Sequence, residues 1–498
     1  MWNLAAVCFA LGMALSTGSG LPQEVRKAQE DRGLSELMPR VRAALQVDSA
    51  RPVLQVSGRA ERYGVPHPFR WTFSPQGHFL REFKGALAQS MGEDGARAWA
   101  QEVRSPSFPI VGTERLRLQA FAWLWSGAWC QAASPFELTL QGSAIETETI
   151  VLRYRLAGSE LTGSIHLDPS TLYPQRLTFA QAHGGGQVAF EGWNPTQEPP
   201  MPGLVRLNSE LDGELTFHVQ NSQVWDRPPP QYGDPRATAS DTGFLEGADP
   251  LVSAQRLANG NWIVRPLIDG KPRGPFLLDP SSPHSLMTQA LGDSLGYRAF
   301  STYPGGPTLA PGTTGEGLYQ SRFLQLGPFL LEGPRYAQVN KLPKPFKDSE
   351  ESCVGLLGWD VFLRSVVVFD SERETVELHD PTTLASDPEP WQAVQWIEMT
   401  LAARVPHLRL ELGEQRAVLV RFDPQLQGAE VLLSGAIADA ANASLAGRAV
   451  TTRPVELGDE FDRLGTPEVM GKFGPGALPP GALVLDYAHS RLGVRPVK

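Results

Sequence analysis

Alternating apolar and polar positions run through residues 35–222 of the chain. Phe69, Trp71 and Phe73, for example, are separated by polar or small partners, and the turn-forming residues 75–77 (Pro-Gln-Gly) follow them. Successive side chains of a β-strand point to opposite faces of a sheet, so this period of two predicts strands. The short spacing between turns predicts consecutive antiparallel hairpins.

One segment departs from this alternation. Within residues 114–131, Leu116, Ala120 and Leu124 recur at the spacing of an α-helix. We therefore predict a curved antiparallel sheet, a half-barrel, with one helix packed on it, as a domain of residues 21–225.

The second half of the chain is set off by composition. Residues 226–249 are rich in Pro, Gly, Asp and Thr and lack periodicity, which is typical of a linker. A weaker break of the same kind lies at 380–391. Strand-like segments fill the rest, which predicts two further β domains at 250–390 and 391–498.

Composition and charge narrow the possible functions. The chain has 498 residues, 44 Lys and Arg against 54 Asp and Glu, and a formal net charge of −10. A surface that tracks phosphates needs a basic surplus, so we expect no nucleic-acid partner. With 41% apolar residues the chain is able to bury large cores, and 49 Gly and 43 Pro suit many strands joined by turns. No apolar run is long enough to predict a transmembrane span.

The first residues favour an extracytoplasmic location. Residues 4–15 are apolar and residues 16–20 are small and polar, a pattern that predicts a signal peptide at 1–20 and a periplasmic or secreted protein. The alternative is a buried N-terminal helix or strand. Cys130 and Cys353 would then be free thiols or a single disulfide.

The C-terminal half contains an internal repeat. Residues 263–280 and 408–424 share the order strand, turn, strand, Asp-Pro, so that Asp279 and Asp423 stand at the same point of each copy. Residues 355–370 (GLLGWDVFLRSVVVFD) combine two glycines with apolar pairs and lead into another strand ending in aspartate.

These motifs resemble the aspartic-peptidase family, in its bacterial retropepsin-like and pepsin-like forms. The match covers roughly residues 250–498, and the element at 355–370 is its most specific part. The N-terminal half resembles, less specifically, the half-barrel of lipoprotein carriers. The resemblance implies a mainly β chain in which a half-barrel precedes a bilobal β-barrel domain, with the lobes of one monomer facing each other.

The resemblance also implies a mechanism and a site. Asp279 and Asp423 would be the catalytic pair, because two carboxylates about 3 Å apart share a proton and activate a water. Ser281, Ser282 and Tyr319 would contact a peptide or protein substrate, and residues 303–319 would form a covering loop. Such a site uses neither a metal nor a cofactor.

The chain departs from the family pattern beside both aspartates. Pro280 and Pro424 replace the hydroxyl residue whose side chain and N–H brace the two loops, and proline supplies neither group. Ser281 and Gln425 replace the glycine that follows.

Three hypotheses follow from these departures. The first is an envelope aspartic endopeptidase whose site is degenerate. The alternative is a non-catalytic protein that binds a peptide or a lipid in the inter-lobe cleft and the half-barrel. In the third, only residues 250–390 form a peptidase lobe, and that lobe dimerises.

Overall fold

The structure is a computed structural model. It describes residues 23–47, 53–85, 87–102, 104–131, 134–141, 149–159, 161–180, 186–209, 213–225, 232–233, 235, 241–301, 315–342, 352–386, 388–402, 404–413, 416–434, 443–455 and 469–496. The predicted signal peptide, half of the predicted linker at 226–249 and most of the predicted covering loop lie outside these residues. The described part of that linker is not wholly extended chain without structure, since Thr242–Phe244 is a strand paired with residues 329–331.

The N-terminal half forms one antiparallel sheet of 13 strands. Its strands are β1 (Val53–Arg62), β2 (Val65–Phe73), β3 (Phe79–Phe83), β4 (Gln89–Glu93), β5 (Ala98–Glu102), β6 (Ser107–Ile110), β7 (Phe136–Leu140), β8 (Ile150–Leu156), β9 (Thr162–Leu167), β10 (Pro174–Ala180), β11 (Gln187–Asn194), β12 (Met201–Ser209) and β13 (Gly213–Trp225). Each strand pairs with its neighbour in sequence except β6 and β7, which are the two edges, and β1 also pairs with β13.

Two helices accompany this sheet. The helix α2 (Gly112–Trp125) connects the two edge strands and packs its aromatic residues against Trp71 at the centre of the sheet. The helix α1 (Gln23–Leu45) precedes the sheet and buries Leu37 and Val41. The predicted half-barrel and its crossing helix are thus confirmed, but the strand pattern predicted from residue 35 is wrong up to residue 45, where α1 lies instead.

The region after residue 240 begins with fifteen strands and three short helices among the described residues. They are β14 (Thr242–Phe244), β15 (Leu251–Val252), β16 (Ala254–Arg256), β17 (Trp262–Val264), β18 (Leu267–Ile268), β19 (Lys271–Pro272), β20 (Phe276–Leu278), β21 (Leu286–Thr288), α3 (Gln289–Ser294), β22 (Gly315–Gln320), β23 (Phe323–Leu326), β24 (Phe329–Glu332), β25 (Arg335–Val339), β26 (Gly355–Leu357), α4 (Trp359–Phe362), β27 (Val366–Asp370), β28 (Thr375–His379) and α5 (Thr383–Ser386). We call this region the first lobe.

The second lobe follows with eleven described strands. They are β29 (Gln395–Glu398), β30 (Thr400–Ala402), β31 (Val405–Leu412), β32 (Arg416–Phe422), β33 (Val431–Ser434), β34 (Ala443–Leu445), β35 (Arg448–Ala449), β36 (Thr452–Val455), β37 (Val469–Phe473), β38 (Ala482–Asp486) and β39 (Arg491–Arg495).

The two lobes repeat one strand order. The first lobe contains β17-β20-β26-β21-β25 and the second contains β31-β32-β37-β33-β36. In both, the second strand runs parallel to the third, the third is antiparallel to the fourth, and the fourth is parallel to the fifth. The mainly β fold class with two repeated lobes, predicted from the sequence, is confirmed.

A shared sheet joins the lobes with approximate two-fold symmetry. Its order is β15-β28-β27-β38-β39-β29, with three strands from each lobe. Both β27 and β38 end in an aspartate, Asp370 and Asp486, before a hairpin turn. When these ends are matched, Val368 corresponds to Val484, and these two residues pair directly across the sheet. The symmetry axis therefore passes between them.

The N-terminal sheet contacts both lobes through polar and aromatic side chains. Glu102, at the end of β5, forms an ion pair with Arg404, which precedes β31. The Nη2 atom of Arg404 lies 2.5 Å from the Oε1 atom of Glu102. The ring of Phe108 in β6 packs edge-on against Trp359 of α4 with centroids 4.9 Å apart. The half-barrel and the lobes are therefore held together by buried contacts.

The ionisation of Glu102 should make this junction sensitive to acid. Burial alone would raise the pKa of Glu102, but nearby arginines, Arg404 foremost, lower it to about 2 from its ordinary 4.5. The unfolded chain therefore takes up the proton first, so the stabilisation is complete above pH 4.5 and is lost as the pH falls towards 2. A shift of this size corresponds to about 3 kcal/mol.

Urea unfolding of the wild type and of Glu102→Gln at pH 6 and pH 3 measures this effect. We expect the wild type to exceed the variant in free energy of unfolding at pH 6, and the difference to shrink at pH 3. The control, Glu137→Gln, removes one partner of an exposed ion pair and should change stability by less than about 1 kcal/mol at either pH. An equal difference for Glu102→Gln at the two pH values would contradict the assignment.

Candidate functional site

Asp279 and Asp423 occupy equivalent loops of the two lobes. Asp279 follows β20 directly, and Asp423 follows β32. The backbone N–H of Asp279 donates to the carbonyl of Leu357, the last residue of the parallel strand β26, at 3.0 Å. The N–H of Asp423 donates in the same way to Phe473, the last residue of β37, at 2.8 Å. The repeated Asp-Pro element found in the sequence thus has the same hydrogen-bonded position in each lobe.

Each carboxylate is also held by its own loop. The Oδ1 atom of Asp279 accepts the N–H of Ser281 at 2.8 Å and its hydroxyl at 2.7 Å. The Oδ1 atom of Asp423 accepts the N–H of Gln425 at 3.0 Å. Such a turn, in which an aspartate caps the backbone two residues on, fixes the carboxylate without any help from the neighbouring proline.

Glycines allow close packing behind both loops. A Cβ on Gly358 would lie 2.6 Å from the carbonyl oxygen of His284, and a Cβ on Gly474 would lie 1.7 Å from that of Leu426. Any side chain there would collide with backbone, which is why these two positions need glycine. Gly358 belongs to the motif recognised at 355–370, and Gly474 is its counterpart in the second lobe.

Burial and charge set the protonation of Asp279. The residue is only 5% exposed. Burial raises the pKa of Asp279, and the negative charge of Asp423 raises it further, whereas hydrogen bonds from Ser281 and the positive charge of Arg421 lower it. The hydrogen bond from Arg421, two residues before Asp423, to the carbonyl of Ser281 brings the two aspartate loops together across the lobe boundary.

Asp423 has a cationic partner of its own. The Nζ atom of Lys472, in β37, lies 3.3 Å from its Oδ2 atom, and about a quarter of each side chain remains exposed. By the repeat, Lys472 occupies the position that Leu356 has in β26 of the first lobe. The second lobe thus carries a charge at a position where the first lobe is apolar.

Two side chains of the second lobe bind the backbone of the first aspartate loop. Tyr487 donates its hydroxyl to the carbonyl of Pro280 at 2.5 Å, and Arg421 donates to the carbonyl of Ser281 at 3.3 Å. These contacts connect the lobes where the sequence shows that the usual hydroxyl brace is missing. Sequence analysis missed Tyr487, Arg421 and Lys472, because only the packing of the second lobe, with Arg421 and Lys472 on strands and Tyr487 in a hairpin turn, brings them to the site.

The predicted substrate-contacting residues lie in different surroundings. The hydroxyl of Ser281 bonds Asp279, whereas that of Ser282 donates to the carbonyl of His284 at 2.7 Å. Tyr319 lies on β22, not at a loop tip, and is buried at 2% exposure beside Gly292. The remainder of the predicted covering loop, up to residue 314, lies outside the described residues. Substrate contact by these three residues stays a prediction.

The structure also bears on metal binding, on the two cysteines and on membrane-spanning helices. Within the part of the chain that the structure describes, no group of three or more His, Cys, Asp or Glu side chains is arranged to hold a metal ion. Cys130 is buried and Cys353 is partly buried, and they form no disulfide with each other. None of the described helices combines the length and the apolar character needed to cross a membrane.

Comparisons with known proteins find only slight structural likenesses. No protein-family model matches the chain, and no curated protein matches it. A LolA superfamily protein from Nitrosomonas europaea has 13% identity over 38% of this chain and 94% of its own, with a TM-score of 0.26. A retropepsin-like aspartic protease from Rickettsia conorii has 14% identity over 28% of this chain and 90% of its own, with a TM-score of 0.18. The MucA/MucB complex of Pseudomonas aeruginosa gives 14% identity over 61% of this chain and 94% of the matched one, with a TM-score of 0.17. Likenesses of this size carry no argument about function.

Proposed function

We propose that the chain is a non-catalytic, aspartic-peptidase-like protein of the cell envelope or exterior that binds an extended peptide between its two lobes. The observation that carries this proposal is the ion pair between Lys472 and Asp423. This ion pair changes the charge balance between the two aspartates, on which peptide hydrolysis by such a pair depends.

A catalytic aspartate pair works because its like charges repel. Repulsion between two close carboxylates makes them share one proton and hold one water between them. Lys472 and Arg421 bring two positive charges to the two aspartates, which offsets that repulsion. The ammonium group of Lys472 also lies at Oδ2 of Asp423 and competes for the oxygen that a catalytic water would use.

The backbone beside the two aspartates also favours binding over hydrolysis. Pro280 and Pro424 have no N–H and no hydroxyl with which to brace the two loops. Tyr487 and Arg421 connect the lobes instead, through the carbonyls of Pro280 and Ser281. This arrangement keeps the lobes together but supplies no donor to the reacting carboxylates. It suits a binding site better than a hydrolytic one.

A peptide is favoured over a lipid as the ligand. The inner face of the half-barrel is filled by α2 and by fully buried rings, among them Trp71, Phe121 and Phe217. An acyl chain would have to displace this core. The pair of Lys472 and Asp423, by contrast, remains partly exposed and offers both a donor and an acceptor to a peptide.

Retention of a random decapeptide library on the immobilised full chain tests the proposal. We expect the wild type to retain a subset of peptides, and Lys472→Leu, which installs the residue found at the equivalent position of the first lobe, to lower their affinity at least tenfold. The control, Lys271→Leu, removes the same charge from the exposed strand β19 in a different sheet and should bind as the wild type does. Unchanged binding by Lys472→Leu, or no retention by the wild type, would contradict the proposal.

A further inference from the structure

A charged cavity lies where the N-terminal sheet meets both lobes. Its volume is about 490 Å³, within the range of small-ligand sites. Arg62 comes from β1 and Glu102 from β5, Arg335 comes from β25 of the first lobe, and Arg404 comes from the second lobe. The cavity is thus built by three parts of the chain that are remote in sequence.

The described residues of its lining carry an excess of positive charge. Six arginines and four carboxylates line it, which leaves two positive charges in excess: Arg62, Arg104, Arg322, Arg335, Arg364 and Arg404, against Glu102, Asp241, Glu332 and Asp360. The fall of the pKa of His284 to about 3, for which burial is the main cause, keeps that imidazole neutral at pH 7. His284 therefore adds no positive charge to this excess.

Much of this charge is removed from water. Arg62, Arg364 and Arg404 are each at most 6% exposed. Burial lowers the pKa of Arg335; the negative charges of Glu102 and Asp360 raise it, and the positive charges of Arg62 and Arg364 lower it. A buried excess of like charge is costly unless an opposite charge compensates it.

We propose that this cavity binds a small dianion bearing a phosphate group. A phosphate carries close to two negative charges at neutral pH, so it would compensate the arginines that the lining carboxylates leave unbalanced. Guanidinium groups bind phosphate oxygens through pairs of parallel N–H donors, and several arginines face this cavity from different sides. Tyr63, Leu87 and Leu318 add apolar walls, so there is room for a small organic group beside the phosphate.

Calorimetric titration of the full chain with inorganic phosphate, in chloride buffer of matched ionic strength, tests this site. We expect saturable binding by the wild type, and at least a tenfold loss of affinity in Arg335→Met, which keeps the apolar stem and removes the charge. The control, Arg70→Met, removes an arginine from a half-exposed surface ion pair in β2 and should bind phosphate as the wild type does. Where Arg335→Met does not fold, Arg335→Lys keeps the charge but loses the planar fork, and should bind at least threefold more weakly.

Two further probes distinguish the source of the phosphate. Glycerol 3-phosphate binding more tightly than inorganic phosphate would support an organic phosphate ester as the ligand, and equal binding would support free phosphate. Succinate is a dianion without a phosphate, and tighter binding of succinate than of phosphate would overturn the proposal. Absence of phosphate binding in the wild type, or equal affinity in Arg335→Met, would overturn it as well.

Discussion

Replacing Asp241 by asparagine is expected to lower the free energy of unfolding by about 3–5 kcal/mol, because a buried guanidinium loses its two-pronged carboxylate partner and keeps only the more distant Asp360, at 3.7 Å. Arg364 donates from Nε to Oδ1 of Asp241 at 3.0 Å and from Nη2 to Oδ2 at 2.9 Å, a two-pronged contact. Both side chains are less than a tenth exposed. Asp241 stands just before β14, where the chain enters the first lobe, so the loss should appear in the unfolding of the lobes.

Urea denaturation followed by intrinsic fluorescence measures this loss. The control is Glu36→Gln, since Glu36 pairs with Arg32 on the exposed face of α1, where more than two thirds of both side chains is in solvent. Exposed pairs contribute about 0–1 kcal/mol, so the control should stay close to the wild type. A loss of stability below about 1 kcal/mol for Asp241→Asn would contradict the stabilising role given to the buried pair of Arg364 and Asp241.

Replacing Trp71 by alanine is expected to lower the free energy of unfolding of the half-barrel by about 3–5 kcal/mol, because it leaves a cavity at the centre of that core. Trp71 has no exposed surface. Five aromatic rings surround it with centroid distances of 4.9–6.2 Å: Phe73, Phe79, Phe121, Trp125 and Phe217. Since these rings come from β2, β3, α2 and β13, they cannot all move inward to fill the space.

The same substitution at Trp225 serves as the control. Trp225 ends β13 and is 43% exposed, so Trp225→Ala should change stability by less than about 1 kcal/mol. Near-ultraviolet circular dichroism reports on the aromatic core directly, and we expect Trp71→Ala alone to lose most of that signal. Equal stability losses for the two tryptophans would contradict the packing described here.

The sequence predicted those features that depend on local pattern. The alternation through Phe69, Trp71 and Phe73 is the direct trace of a sheet with one buried face, and it led to the half-barrel. The repeated Asp-Pro element led to Asp279 and Asp423, since a strand that ends in a tight turn keeps its spacing even when the surrounding residues change.

Other features depend on partners that are distant in sequence, and the sequence did not predict them. The helix α1 was missed because Pro39, a residue that ordinarily ends a helix, lies inside its apolar stripe of Leu37, Val41 and Leu45. Lys472 lies between Gly471 and Phe473 on a strand whose counterpart carries Leu356, so only the three-dimensional repeat shows that its charge is unusual. Tyr487 and Arg421 reach the first aspartate loop across the lobe boundary, a contact that no local spacing encodes.

The most direct test of the central claim is a cleavage measurement. The purified chain is incubated with a mixed peptide library between pH 3 and pH 7, and products are followed by mass spectrometry beside the Asp279→Asn variant. The ion pair of Lys472 and Asp423 predicts that the wild type forms no product above the level of the variant at any pH. Peptide cleavage by the wild type that disappears in Asp279→Asn would contradict the account.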